Sequence, residues 1–341
     1  MLRTALAIAV DLGRPEDVAR AHIGLAEVLR YLGRSDAALG IAQEGERAAR
    51  RAGLEHLFGR YLSLSAADDL FHLGRWDEAD ERLQAVDPDR LERTSRELWL
   101  SVSGRVAVAR GDAVGARSHL LAASALCADG RPEAVPHVYG GLAELALWLG
   151  RPGEAGRLVA DGLRLVGSTE DALNTPVLLA IGVRAHVEAA LPRTAAERRR
   201  ARMAATALTM RLKRILGIGE ERFCPPQGRA HMATCAAELT RLRPASAGDH
   251  VKSAAATWAR AASAWEAIGH PYQVAYARLR EAEALSAGAD RADLEGALET
   301  ARERASRLGA GFLLGEVERI AAAAPGPPVP SGALSSAVER V

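Results

Sequence analysis

Apolar residues recur every three or four positions over most of the chain. Examples are ARAHIGLAEVLRYL (19–32), RYLSLSAADDLFHL (60–73) and VPHVYGGLAELALWL (135–149). That spacing is the period of a helix buried along one face. No stretch alternates as a half-buried strand would, so the pattern predicts an all-α chain. Between the helical blocks stand four similar segments: YLGRSDAA (31–38), HLGRWDEA (72–79), ARGDAVGA (109–116) and WLGRPGEA (148–155). Their glycines, 33, 74, 111 and 150, are spaced 41, 37 and 39 residues apart.

The small residues keep a register to these glycines. Ala26, Ala67, Gly104 and Ala143 come seven before; Ala38, Ala79, Ala116 and Ala155 come five after. Ala42, Leu83, Leu120 and Val159 follow at nine, and Gly45, Val86, Ala123 and Gly162 at twelve. Two antiparallel helices joined by a tight turn approach closely only where side chains are short. Gly ends the first helix, here called A, because a left-handed C-cap costs it little. Polar residues or Pro then open the second helix, B. These offsets resemble the tetratricopeptide repeat, with a period longer than its usual ~34 residues. The surplus is expected in the connection from helix B to the next helix A. The fold class is therefore a tetratricopeptide-like α-solenoid of antiparallel helix pairs.

The organisation expected is repeats over 1–191, a basic helix and Gly/Pro break over 192–228, further helix pairs over 229–324, and a linker or tail over 325–341. The first residues, MLRTALAIAVDLG, read as a helix B with no partner before it, as though the chain were cut at its start. TAAERRRARMAATALTMRLKRIL (194–216) reads as one long basic helix, and PGPPVPSG (325–332) as a linker.

LGRPEDVARAHIGLAEVL, FHLGRWDEADERL and residues 263–310, SAWEAIGHPYQ through ERASRLGA, resemble the helical-repeat region of large ATP-binding LuxR-type (MalT-like) transcriptional regulators. The resemblance covers roughly residues 1–324. It implies a module that receives a protein or small-molecule inducer. It also implies a nucleotide-binding domain before the repeats and a helix-turn-helix domain after them. The chain has no GxxxxGK[ST], so ATP would belong only to the preceding domain, and DNA only to the following one. LSSAVERV (334–341) is similar to the opening of that DNA-binding domain at Leu334, Ser335, Ala337, Arg340 and Val341, but not at Val338. The alternative is a free-standing tetratricopeptide-repeat adaptor, with self-association open to either.

Composition narrows the chemistry. The chain has 341 residues, 48% hydrophobic, 26% charged and only 4% aromatic, and carries a net charge of +1. It lacks the basic excess of a dedicated nucleic-acid binder. Three cysteines, 127, 224 and 235, form no CxxC, as expected of a cytoplasmic protein without a disulfide framework. No apolar run reaches the ~18 residues of a membrane helix. There is no GxSxG, HExxH or Gly-rich nucleotide loop, so the reading is not an enzyme, and no resident cofactor or metal is expected. Cys224, His231 and Cys235 could share a soft metal, but a structural zinc wants a fourth ligand and none lies near. The basic helix could meet phosphate or an acidic partner, or be a solvated face. Trp258, Trp265, Tyr272 and Tyr276 could line a pocket or pack a helix–helix core.

A solenoid of this kind presents successive A helices as a concave wall. In the repeat register the wall should carry Arg20, Glu27 and Arg30; Tyr61, Asp68 and Phe71; Ser101, Arg105 and Val108; His137, Glu144 and Leu147. FHLGRWDEADERL (71–83), with its Trp, His and four carboxylates, then reads as a turn of the scaffold in which only Phe71 and His72 face the groove.

Overall fold

A computed structural model describes residues 1–127, 132–167, 172–218, 224–243, 247–288 and 291–323. The tail LSSAVERV lies outside the described residues, as do 219–223 of the Gly/Pro break. Sixteen α-helices and no strand stand among the described residues. A lone helix, α1 (Leu2–Asp11), packs on α2. Antiparallel pairs follow: α2 (Pro15–Tyr31) with α3 (Ser35–Arg51), α4 (Arg60–His72) with α5 (Trp76–Gln84), and α6 (Arg93–Arg110) with α7 (Ala113–Cys127). Next come α8 (Val135–Trp148) with α9 (Pro152–Val166), and α10 (Thr175–Ala190) with α11 (Ala195–Ile215). The pairs α12 (Pro226–Thr240) with α13 (Ala247–Glu266) and α14 (Pro271–Leu285) with α15 (Arg291–Leu308) complete the stack, capped by α16 (Gly311–Ala323). The fold is a tetratricopeptide-like α-solenoid.

The A-to-B turn has one chemistry repeated four times. Gly33, Gly74, Gly111 and Gly150 all sit at positive φ, between 68° and 88°. The residue after each donates back across the turn: Arg34 N to Leu29 O, Arg75 N to Leu70 O, Asp112 N to Ala107 O and Arg151 N to Ala146 O, at 2.8–2.9 Å. This pattern satisfies carbonyls that the helix end would leave unpaired. Ala38, Ala79, Ala116 and Ala155 are fully buried under the turn, as are Ala26, Ala67 and Ala143 in the A helices. A Cβ at Gly104 would stand 2.5 Å from Leu120 Cγ, and one at Gly45 2.6 Å from His22 Cβ. Substitution there would force the pairs apart. The B-to-A connections hold the surplus length: a π-helical turn Glu55–Gly59 after α3 and a 3-10 turn Pro88–Arg90 after α5. Helix α5 ends at Gln84, so Val86 lies beyond the helix instead of packing within it.

The basic helix α11 is the B partner of α10, opened by a capping box between Thr194 and Glu197. Only Ala205 and Leu212 are buried on it, and Arg199, Arg200, Arg202 and Arg214 are exposed. Trp76 is buried and donates from Nε1 to Phe71 O at 3.1 Å, closing its turn as a lid.

The solenoid curls until its two halves meet. The turns at Gly33 and Gly74 rest on Ile268, Pro271 and Leu308, and the turn at Gly111 rests on the backbone of Gly311. The largest core cluster joins Leu64, Trp76, Val102 and Val106 of the first repeats to Trp258, Trp265, Tyr272, Leu279 and Leu313. Trp258 is wholly interior. His72 stacks on His270 at 4.8 Å across this seam, so it does not face an open groove. Phe71 is likewise enclosed, stacked on Trp76 and covered by the Arg105 guanidinium at 4.9 Å. Among the described residues no helix is long and apolar enough to cross a membrane.

Candidate functional site

Four successive A helices and the segment before α10 enclose a cavity of about 90 Å³. From α2 come Glu27, Arg30 and Tyr31; from α4, Tyr61 and Asp68; from α6, Thr94, Glu97, Leu98, Ser101 and Arg105. Glu133, Ala134 and His137 close it from the start of α8, and Asn174 from the turn before α10. Seven of the twelve wall positions expected from the register meet here: Glu27, Arg30, Tyr61, Asp68, Ser101, Arg105 and His137.

The other five go elsewhere, for a geometric reason. Glu27, Asp68, Arg105 and Glu144 stand six residues before the turn glycines; Arg20, Tyr61 and His137 stand thirteen before. At 3.6 residues per turn these two positions nearly superpose, whereas the position three before lies about 60° round the helix. That shift carries Phe71, Val108 and Leu147 into the packed side; Val108 and Leu147 are buried among neighbouring helices. Only Arg30 reaches the cavity from there, through its length. Arg20 is exposed and covers Phe58 at 5.7 Å, outside the cavity. Glu144 enters a second cleft, described below.

A buried ion-pair network forms the cavity floor. Arg30 donates from Nε to Asp69 Oδ1 at 2.6 Å and from Nη2 to Ser65 Oγ at 2.8 Å, and its Nη1 lies 3.4 Å from Asp68 Oδ2. Arg105 pairs with Asp68 from the next repeat. Burial opposes the charge on Asp68, but Arg105 and Arg30 outweigh it and hold the carboxyl far below its ordinary range. Burial dominates at Asp69 and pushes it up to about 6 against the pull of Arg30. Its second oxygen, Oδ2, is sealed without a partner, which favours a proton there. The network ties α2, α4 and α6 together and orients Arg30 and Arg105 along the wall.

The rim is polar and mostly acidic. Tyr31 Oη lies 3.1 Å from Glu27 Oε1 and 3.4 Å from Asn174 Oδ1, and His137 Nε2 lies 3.1 Å from the same Asn174 oxygen. Burial, helped by the Arg105 charge, lowers His137 to about 4, so it is neutral near pH 7. Glu97 accepts from Cys127 Sγ at 3.2 Å. Burial and that carboxylate push the Cys127 thiol up to about 12, which makes it a poor nucleophile. The lining thus sets Glu27, Asp68, Glu97 and Glu133 against Arg30 and Arg105. It offers hydrogen bonds and negative charge to a bound chain.

A second network lies in the C-terminal half. Glu188 accepts from Arg184 Nε at 2.8 Å and lies 3.4 Å from Arg280 and 3.6 Å from Arg241. Glu238, Glu283 and Glu316 complete it. The Arg184 guanidinium lies against Trp148 and Tyr276, 4.5 and 4.6 Å from the ring centroids, with the two rings nearly perpendicular. Above this network opens a cleft of about 70 Å³ that Trp265 and Tyr276 line, so those two aromatics serve both core and cleft. Among the described residues no three His, Cys, Asp or Glu side chains are grouped to hold a metal. Cys235 is buried, and burial first, then Glu238, raises its thiol far above the ordinary range.

Sequence reasoning missed Asn174, Glu97 and the Asp69 anchor. The pair Asp68–Asp69 inside LSLSAADDLFHL was the available signal, since two acids on an apolar face demand buried cations.

No protein-family model and no curated protein matches the sequence. Among solved structures the chain is similar to the crystal structure of a Rap protein complexed with Competence and Sporulation Factor. The TM-score is 0.57 at 12% identity, over 88% of this chain and 80% of that one. At that identity the likeness is one of fold, a tetratricopeptide-like helical repeat.

Proposed function

We propose that the chain is a recognition module that binds a protein or small-molecule inducer on the wall of α2, α4, α6 and α8. The observation that carries this reading is the cavity built from residues at matching register positions of consecutive repeats, floored by a preorganised ion-pair network. Preorganised polar groups cost little to order when a ligand arrives. The acidic balance of the lining selects an extended segment bearing Lys or Arg. A solved structure of similar fold in complex with a factor supports the same use of the scaffold. The resemblance to LuxR-type regulators gives the setting: a sensor whose occupancy changes solenoid curvature, and through it the relation of an ATPase domain to a DNA-binding domain. The second reading, a free-standing adaptor, uses the same wall without those domains.

A display selection of peptides on the full chain tests the site. The selected peptides are expected to be basic. Glu27→Lys is expected to weaken them at least tenfold, about 1.4 kcal/mol or more. Arg199→Glu, on the outward face of α11, is expected to leave affinity unchanged. Peptides that bind both variants like the original chain would remove the groove assignment. Glu27 is the position of choice because it is exposed, whereas Arg30, Asp68 and Arg105 also hold the fold.

A further inference from the structure

The second cleft contains buried polar groups that the fold itself does not use. Arg184 is 7% exposed and bonds only through Nε, to Glu188. Its two terminal nitrogens make no hydrogen bond among the described residues. His231 is 6% exposed and packs edge-on against Trp265 at 4.8 Å, yet it too makes no hydrogen bond among the described residues. The Gln273 amide beside them is half-buried and likewise makes no hydrogen bond among the described residues. Native proteins partner nearly all their buried polar groups, so two largely buried side chains with unbonded polar atoms on one cleft, Arg184 and His231, point to a ligand. Their free atoms are not among those sealed in the core, and all three residues line the cleft.

The geometry of Arg184 says which ligand. The Arg184 guanidinium carbon lies 4.5 Å from the Trp148 ring centroid and 4.6 Å from that of Tyr276, and the two rings stand nearly perpendicular to each other, which restricts how the guanidinium can turn. Glu188 occupies only the Nε side and is shared with Arg241 and Arg280. The terminal edge, with two parallel N–H donors, is the fork that matches a carboxylate. Across the cleft, Glu144 accepts only from Tyr272 Oη, at 3.0 Å, and offers its remaining lone pairs to a donor.

We infer that this cleft binds a small carboxylate with an N–H donor beside it, the amino-acid headgroup. The carboxylate sits on the terminal edge of Arg184, and the N–H points to Glu144. Gln273 and the neutral His231 complete the hydrogen bonds. Ile181 and Trp265 leave an apolar wall for a side chain. At about 70 Å³ the cleft takes a headgroup and not a drug-sized molecule. Two sources carry this chemistry, a free amino acid and the C-terminus of a peptide chain. The inference stands apart from the groove reading, because the two sites are separate cavities.

Calorimetric titration of the full chain, paralleled by tryptophan fluorescence, tests it. The probes are L-alanine, L-alanine methyl ester, and the tripeptide Ala-Ala-Ala with a free or an amidated C-terminus. An acid probe is expected to saturate, and its ester or amide to bind roughly tenfold more weakly or worse. Saturation by alanine alone assigns a free amino acid, and by the tripeptide alone a chain terminus. Arg184→Lys keeps the charge but loses the flat fork, and is expected to lose about tenfold. Ile181→Phe narrows the cleft without touching the ion pairs, and is expected to lose the same binding even if Arg184→Lys folds poorly. The inference is overturned if no acid probe saturates up to about 10 mM. It is equally overturned if esters and amides bind as tightly as acids, or if folded Arg184→Lys and Ile181→Phe both bind like the original chain.

Discussion

The two buried arginine networks solve one problem in different ways. In the first repeats, Arg30 and Arg105 meet Asp68 and Asp69, short acids that hold the guanidinium groups back against α4 and leave a cavity beside them. In the C-terminal half, Arg184, Arg241 and Arg280 meet Glu188, Glu238, Glu283 and Glu316, whose longer stems let each acid reach several cations. The first network has few alternatives: Asp68 serves both arginines, and Asp69 serves Arg30 alone. The second is redundant. Each network leaves a cavity beside it, and the two differ in how many partners each charge keeps when one is lost.

The largest expected effect breaks this contrast at its narrowest point. Asp68→Ala leaves Arg105 without its carboxylate and Arg30 with only Asp69. Loss of one partner from a buried pair costs about 3–5 kcal/mol. Arg280→Met leaves Glu188 with Arg184 and Arg241, Glu283 with Arg241, and Glu316 with Arg319. Its cost is expected near 1–3 kcal/mol. Urea denaturation of both variants checks the order, and equal losses would erase the contrast.

Acid is the next lever, and it acts on the seam between the halves. Burial lowers His270 to about 4 and His231 to about 3, and holds His72 well below its ordinary value. A depressed histidine contributes stability that is present above pH ~6.5 and lost as pH falls toward its folded value. Asp69, raised to about 6, works the other way: its contribution is lost as pH rises through that value. The several histidines outweigh the single acid. Stability is expected to fall steadily from pH ~6.5 to ~4, by on the order of 1–3 kcal/mol for each buried imidazole. Thermal melts across that range check this, and His270→Phe should flatten the dependence. A melting temperature constant over the range would contradict it.

The turn glycines give a smaller, sharper test. Gly150→Ala meets no neighbour within 4 Å and should cost only the left-handed strain, about 1–2 kcal/mol. Gly74→Ala pays the same strain and also places its Cβ 2.6 Å from Leu308 Cδ2 and Pro271 Cγ. It should be the more damaging, since it pries apart the two halves. Equal melting temperatures would show that the seam does not close in solution.

The helix pairs were legible because Gly and Ala answer to local geometry. A tight turn needs a residue at positive φ, and the residue five later must be small, so Gly33 and Ala38 announce themselves. The seam was not legible. Gly74 carries a second duty against Pro271 and Leu308, and nothing in the residues near Gly74 names partners so far along the chain. The wall is legible by counting turns: Glu27, Asp68 and Arg105, six before the glycines, fall on the cavity side, and Phe71 and Val108, three before, lie about 60° round on the packed side. Arg184 gave no signal, because a lone Arg on an apolar helix reads as any satisfied core polar group, and His231 drew notice only as a possible metal ligand beside Cys224 and Cys235.

Hydrogen exchange on the full chain, with and without a saturating basic peptide, tests the central claim that the A-helix wall is the recognition surface. Protection is expected in α2, α4, α6 and the start of α8, around Glu27, Tyr61 and His137. Protection confined to the outward B helices, with these segments unchanged, would contradict it.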